Sequence, residues 1–340
     1  MSGFASIIGQ LHAIGALTRL IDNHRIPNAL LFTGIRGIGK RTTAVAFASA
    51  YNCVSDTQSP SSGNNGPSTA CIDGRATPCG SCSSCKKIEN GQHPDVILIR
   101  PEKSEIVIDQ IRRLLQILAM KPYEARLRVA IVTQADQMNS FAGNALLKIL
   151  EEPPDKTLLI LTAEQPSNLL PTIVSRCQQL RFRPLSRSEI ADILTRQHGI
   201  HANQAATIAS LCGGSVGKAL EMNDPGWLEW RDWMLDTLCC WDRLTVNVRL
   251  GIGEKLLASP TKLDQALDML AYWRRDMLMA KFGKTTFIYP DKVNLIIQAA
   301  TRYTVSDLIA CLEEIHRMRH YLSARGNPKL LMDNLMLKLA

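Results

Sequence analysis

The chain has 340 residues, 46 % of them hydrophobic, which is more than one ordinary domain holds and enough for two or three with cores of their own. Lys plus Arg exceed Asp plus Glu by 39 − 31 = 8, an excess that permits contact with a nucleic-acid backbone but that solubility alone also tolerates. No run of about 18 uncharged apolar residues suggests a membrane span, and Met1 to Gln10 lack the basic-then-apolar pattern of an export signal, so a cytoplasmic protein is expected.

Leu30-Leu31-Phe32-Thr33 is a short apolar run stopped by Gly34, the pattern of a buried parallel strand. Residues 41–52 then have helical composition, so strand, glycine loop and helix follow one another. Residues 54–78 are dominated by Ser, Pro, Gly, Asn and Thr, and a mobile insertion is expected there. Strands are expected at 96–99, 129–132 and 158–161, separated by helices at 107–119 and 140–151. Such alternation implies an α/β domain with a parallel sheet covered on both faces. After Pro184 the strand signal fades into three short helices at 187–198, 202–211 and 215–222. Asp224-Pro225-Gly226 reads as a linker, and 227–340 as almost all helix, with breaks near Gly283, Pro290 and Gly326. The expected organisation is a P-loop α/β domain over 1–184, a small helical domain over 185–224 and an all-α domain over 225–340.

Gly34-Ile35-Arg36-Gly37-Ile38-Gly39-Lys40-Arg41 matches a phosphate-binding loop, except that Arg41 stands where Ser or Thr is usual. Gly34, Gly37 and Gly39 would let backbone N–H groups approach phosphate oxygens, and Lys40 would add a full charge. The missing hydroxyl is the one that ligates Mg²⁺; Thr42 comes one position late. The strand at 129–132 runs into Thr133-Gln134, neither of which can be an anionic metal ligand or a general base. Asp136 lies farther on. Hydrolysis of ATP is therefore not expected, while the loop alone leaves open whether nucleotide rests on it.

Cys79, Cys82 and Cys85 form a C-x2-C-x2-C run. In a reducing compartment such spacing reads as structural zinc ligation, closed by a fourth sulfur. Cys53 and Cys71 are the candidates. His93, in His93-Pro94-Asp95, reads more simply as part of a turn before a strand. Arg181 and Arg183 alternate with Leu180 and Phe182 as on a solvated edge strand. Arg274-Arg275 and the run from Arg317 to His320 read as wet faces of amphipathic helices, with DNA contact a lesser alternative. Trp227, Trp230 and Trp233 have helical spacing and suggest packing in a bundle or against other subunits.

Over about 1–225 these residues together resemble bacterial DNA polymerase III clamp-loader subunits of the AAA+ class. The resemblance is carried by the loop from Gly34 to Thr43, by Tyr51-Asn52-Cys53, by Asn144 through Pro154 (NALLKILEEPP) and by Ser175-Arg176-Cys177. It implies an AAA+ parallel sheet with an inserted zinc module at about 53–85, a three-helix lid and a helical oligomerisation collar. It also favours Cys53 as the first zinc ligand, ahead of Cys71. Motor subunits of the family keep a hydroxyl after the lysine, Asp-Glu at the strand end and an arginine at the position of Gly217. All three are absent, which resembles the non-motor, delta-prime type. Arg176 survives and is implied to act in trans on ATP held by a neighbour. Thr162 falls at the family's first sensor position. Gamma/tau-type motors and a delta-type subunit are the implied partners, with the sliding clamp and primed DNA reached through the complex. The competing readings are an active motor ATPase relying on Thr42 and Asp136, and a zinc-bearing P-loop enzyme acting on a small substrate.

Overall fold

The computed structural model describes residues 3–54, 71–72, 75–102, 105–224, 226–323 and 326–339. The chain divides into two compact units, Met1–Leu220 and Glu221–Ala340. The three short helices after Pro184 fall within the first unit, apart from the last residue of the third.

In the first unit the chain runs α1 (Leu11–Asp22), β1 (Ala29–Thr33), α2 (Lys40–Tyr51), β2 (Cys71–Ile72), β3 (Arg75–Ala76), α3 (Ser83–Glu89), β4 (Val96–Ile99) and α4 (Ile108–Leu118). It continues β5 (Arg128–Val132), α5 (Ser140–Glu151), β6 (Thr157–Ala163), α6 (Pro171–Val174), β7 (Gln178–Arg181), α7 (Arg187–His198), α8 (Ala202–Leu211) and α9 (Val216–Glu221). Five strands form one parallel sheet in the order β4-β5-β6-β1-β7. Residues of β1, β5 and β6 alternate between two cores, as the pleat requires. Leu30, Phe32, Val129, Ile131, Leu158 and Ile160 pack on the face that holds α1 and α2. Leu31, Ala130, Val132, Leu159 and Leu161 pack on the face that holds α4 and α5. Covering on both faces explains why these strands read as continuous apolar runs. In the edge strand β7 only Leu180 is buried.

Helices α1, α3 and α6 and the strand pair β2–β3 were not foreseen. Helix α1 buries Ala13, Leu17 and Ile21, a spacing of four that puts them on one face. The stretch 54–78 is not irregular throughout, since Cys71–Ile72 and Arg75–Ala76 pair antiparallel; residues 55–70 and 73–74 of the expected mobile insertion lie outside the described residues.

The second unit holds α10 (Trp227–Cys239), α11 (Val246–Leu257), α12 (Pro260–Lys281), α13 (Val293–Ala300), α14 (Val305–Ser323) and α15 (Pro328–Lys338). Trp241, Trp273 and Tyr289 fill its interior. Of the three spaced tryptophans Trp227 is buried, with Nε1 donating to Gln265 Oε1 at 3.2 Å, while Trp233 is 40 % exposed. The expectation of a wet face fails for Arg274. Its guanidinium is buried, donates to the Leu339 carbonyl at 2.7 Å and stacks on the Tyr303 ring at 4.3 Å. A cation needs such acceptors to leave water. No single helix among the described residues is long and apolar enough to cross a membrane.

Candidate functional site

The glycine loop joins β1 to α2. Gly34, Gly37 and Gly39 all have positive φ, which an L side chain rarely adopts. Several of the loop's carbonyls are already engaged. Lys40 donates from Nζ to the carbonyls of Gly34 and Ile35 and is buried. Burial pulls its pKa down, against the opposing pull of Glu164 and Asp136. Helix α9 lies on the loop: the Gly217 N–H donates to the Gly37 carbonyl at 2.9 Å, and Ser215 Oγ donates to the Arg36 carbonyl at 2.8 Å. The contact is backbone to backbone, and a Cβ at residue 217 would come within 2.7 Å of Gly37 Cα.

The residues around the loop are poor in metal-handling groups. Arg41 and Thr42 are exposed on the first turn of α2, while Thr43 is buried with Oγ1 donating to the Gly39 carbonyl at 2.9 Å. At the end of β5, Thr133 Oγ1 donates to the Ile99 carbonyl at 3.0 Å, and the Gln134 N–H donates to Thr162 Oγ1 at 3.0 Å. Thr162 is thereby used within the strand ends. Asp136 sits in a single helical turn, 135–137, with Oδ1 buried and unbonded.

The second site is a group of four sulfurs. Cys53 follows α2, and Cys79, Cys82 and Cys85 surround the start of α3. Their Sγ atoms all lie within 4.8 Å of one another. Cys53 and Cys85 are buried, and the Cys79–Cys85 sulfur separation is 4.0 Å. Zn–S bonds of about 2.3 Å in a tetrahedron put sulfurs about 3.8 Å apart, so the donor set and its spacing are compatible with structural zinc. Cys82 caps α3, its Sγ accepting from the Cys85 N–H at 3.4 Å. Burial pushes the Cys85 thiol up to about 12, and burial also opposes ionisation of Cys79, but hydrogen bonds from Ser81 and Cys82 prevail and pull it down to about 5. A divalent cation removes that conflict by making all the thiolates favourable. The Cys71 side chain lies outside the described residues. His93 is not one of the group; its Nδ1 accepts from the Asp95 N–H at 3.1 Å, a turn before β4.

Arg176 lies just past α6 on the outside of the sheet unit, its side chain 37 % exposed. Nη1 donates to the Thr172 carbonyl at 3.0 Å and Nη2 to Glu151 Oε1, at the end of α5, at 2.9 Å. Its neighbours Ile173 and Cys177 are buried in the same core as Leu146, Ile149 and Leu150 of α5. The zinc-type cluster, the loop and Arg176 are thus separate features of one unit.

Residues 9–186 match the family described as DNA polymerase III, delta subunit, and residues 244–340 match its C-terminal family. The chain is 31 % identical over 328 residues to DNA polymerase III subunit delta' of Bacillus subtilis, covering 94 % of this chain and 92 % of that protein. The chain belongs to the delta-prime family of DNA polymerase III subunits. The chain is also similar to the tau/gamma subunit of Haemophilus influenzae, 34 % identical over 226 residues, 65 % of this chain but only 30 % of that relative. Among solved structures, a DNA polymerase III gamma subunit-related protein from Thermotoga maritima covers 96 % of this chain and 97 % of its own, with 21 % identity and a TM-score of 0.42. In this delta-prime family member the two family matches leave residues 187–243 between them, the span of α7 to α10.

Proposed function

We propose that the chain is a non-hydrolysing AAA+ subunit of a DNA polymerase III clamp loader. It offers Arg176 to ATP held by a neighbouring tau/gamma-type motor and joins the other subunits, including a delta-type one, through its helical second unit. Sliding clamp and primed DNA are reached through that complex. The observation that carries the reading is the contact of α9 with the loop: the Gly217 N–H is bonded to the Gly37 carbonyl, and a side chain at 217 would meet Gly37. With no hydroxyl after Lys40 and Thr133-Gln134 at the end of β5, the site lacks the hydroxyl and the strand-end carboxylates that position Mg²⁺ and activate water. The exposed Arg176, by contrast, has donors to spare. A guanidinium presented from a second subunit spreads its charge over the γ-phosphate as the bond to the leaving oxygen breaks.

Zinc held by Cys53, Cys79, Cys82 and Cys85 completes the reading. Four thiolates leave no open position, so the metal's part is to tie the end of α2 to the start of α3.

Arg176→Ala tests the proposal. The loader reconstituted with its cognate motors should assemble normally, and hydrolysis at the site Arg176 completes should fall by about 10³-fold. Undiminished ATP turnover would overturn the trans-arginine role. The motor alternative draws support from one observation, Asp136, which lies close enough to Lys40 to raise its pKa and keeps an oxygen unbonded. It is a lone carboxylate, on a turn rather than at the strand end.

A further inference from the structure

We infer that Glu151 is the positioning residue for Arg176, fixing the plane in which the guanidinium meets a neighbour's triphosphate; this rests on the trans-arginine reading above. The two side chains come from different elements, Glu151 from the last turn of α5 and Arg176 from two residues beyond α6. Both backbones are seated in one core. Leu146, Ile149 and Leu150 bury the face of α5 opposite Glu151, and Ile173 and Cys177 flank Arg176. Gly143 brings the two elements together, since a Cβ there would lie 3.1 Å from Leu170.

A guanidinium is a flat fork of five N–H donors on a stem with several free rotations. The Thr172 carbonyl, one helical turn back, anchors Nη1 at 3.0 Å but leaves the plane free to swing about that bond. Glu151 Oε1 takes Nη2 at 2.9 Å and removes that freedom. Nε–H and the remaining Nη hydrogens are left for an acceptor outside the chain. An ion pair with side chains 37 % and 51 % exposed adds little to stability. Its effect lies in direction, because a transition-state cation must be placed before the reaction rather than found during it.

The test is steady-state ATP hydrolysis by the reconstituted loader with Glu151→Ala, Glu151→Gln, Arg176→Ala and the double variant Glu151→Ala/Arg176→Ala. Glu151→Ala should lower kcat by on the order of tenfold with KM for ATP and assembly unchanged. Glu151→Gln, which keeps an oxygen acceptor, should recover most of that loss. In the Arg176→Ala background Glu151→Ala should change nothing further. If Arg176→Ala is impaired but Glu151→Ala is not, or if the two losses add in the double variant, Glu151 does not act through Arg176 and the inference is wrong. If Arg176→Ala itself turns over ATP like the unaltered loader, the trans-arginine reading falls, and the role of Glu151 with it.

Discussion

Asp95 does more for this fold than any motif announces. Its buried carboxylate accepts from the backbone N–H groups of Tyr123, Glu124 and Ala125 at 2.8–2.9 Å and from Arg128 at 2.9 Å. Arg128 in turn donates to the carbonyls of Ile117 and Lys121, both at 2.7 Å, and to that of Met120. One ion pair therefore stitches the chain between α4 and β5 onto the sheet. Burial alone would raise the carboxyl's pKa, but the N–H donors and Arg128 win and bring it from 3.8 to about 2. A depressed carboxylate stabilises the fold above its unfolded pKa and loses that contribution as pH falls through the folded one. The contribution is about 2 kcal/mol, present above about pH 4 and fading toward pH 2. Asp95→Asn should cost about 3–5 kcal/mol in denaturant unfolding at pH 7, because Arg128 is left buried without its counter-charge. The variant should also show a shallower loss of stability between pH 4 and pH 2. Equal midpoints for the two proteins at pH 7 would show that the pair is dispensable. None of this was legible in His93-Pro94-Asp95, which reads as a turn. The partners lie 28 to 33 residues away, and no local pattern points across that distance.

Elements were legible where burial imposes a period. The all-buried β1, β5 and β6 and the helices α5, α7 and α8 sit where their apolar patterns place them. Helix α1 carried its signal in Ala13, Leu17 and Ile21, but Gly15 and an entry with no side-chain cap weaken it. Helix α3 has no such signal, because its capping acceptor is the sulfur of Cys82. The cysteine module was legible in the spacing of its last three members; the first had to be found across a stretch whose length hides it. If zinc holds the module, purified protein should carry one equivalent by elemental analysis. Cys53→Ser should lose it and melt several degrees lower, whereas Cys71→Ser should keep it. Metal-free protein with the same melting temperature would refute the assignment, and loss of metal on changing Cys71 would exchange the two candidates.

At the scale of the whole molecule, the sheet unit has a glycine loop and helix whose lysine is buried on the loop's own carbonyls and whose Gly37 carbonyl is bonded to α9. The isolated chain should accordingly show no ATP hydrolysis above background and no saturable binding of a fluorescent nucleotide at micromolar concentration. Turnover that copurifies with the chain and disappears in Lys40→Ala would overturn the division of labour proposed here. The charged residues of the second unit were only partly legible. Arg274 looks like any helix-surface cation in sequence, and only the fold brings the Leu339 carbonyl and Tyr303 ring to it.

On the non-hydrolysing reading proposed above, the touch of Gly217 on Gly37 would also make ATP hydrolysis hard to install. A hydroxyl at position 41 and acids at 133 and 134 would still leave α9 bonded to the carbonyls of Arg36 and Gly37. An arginine at position 217 would not fit without movement, since even its first carbon falls 2.7 Å from Gly37 Cα. On that reading, position 217 would take an arginine only once α9 had moved off the loop, whatever stood at 41, 133 and 134.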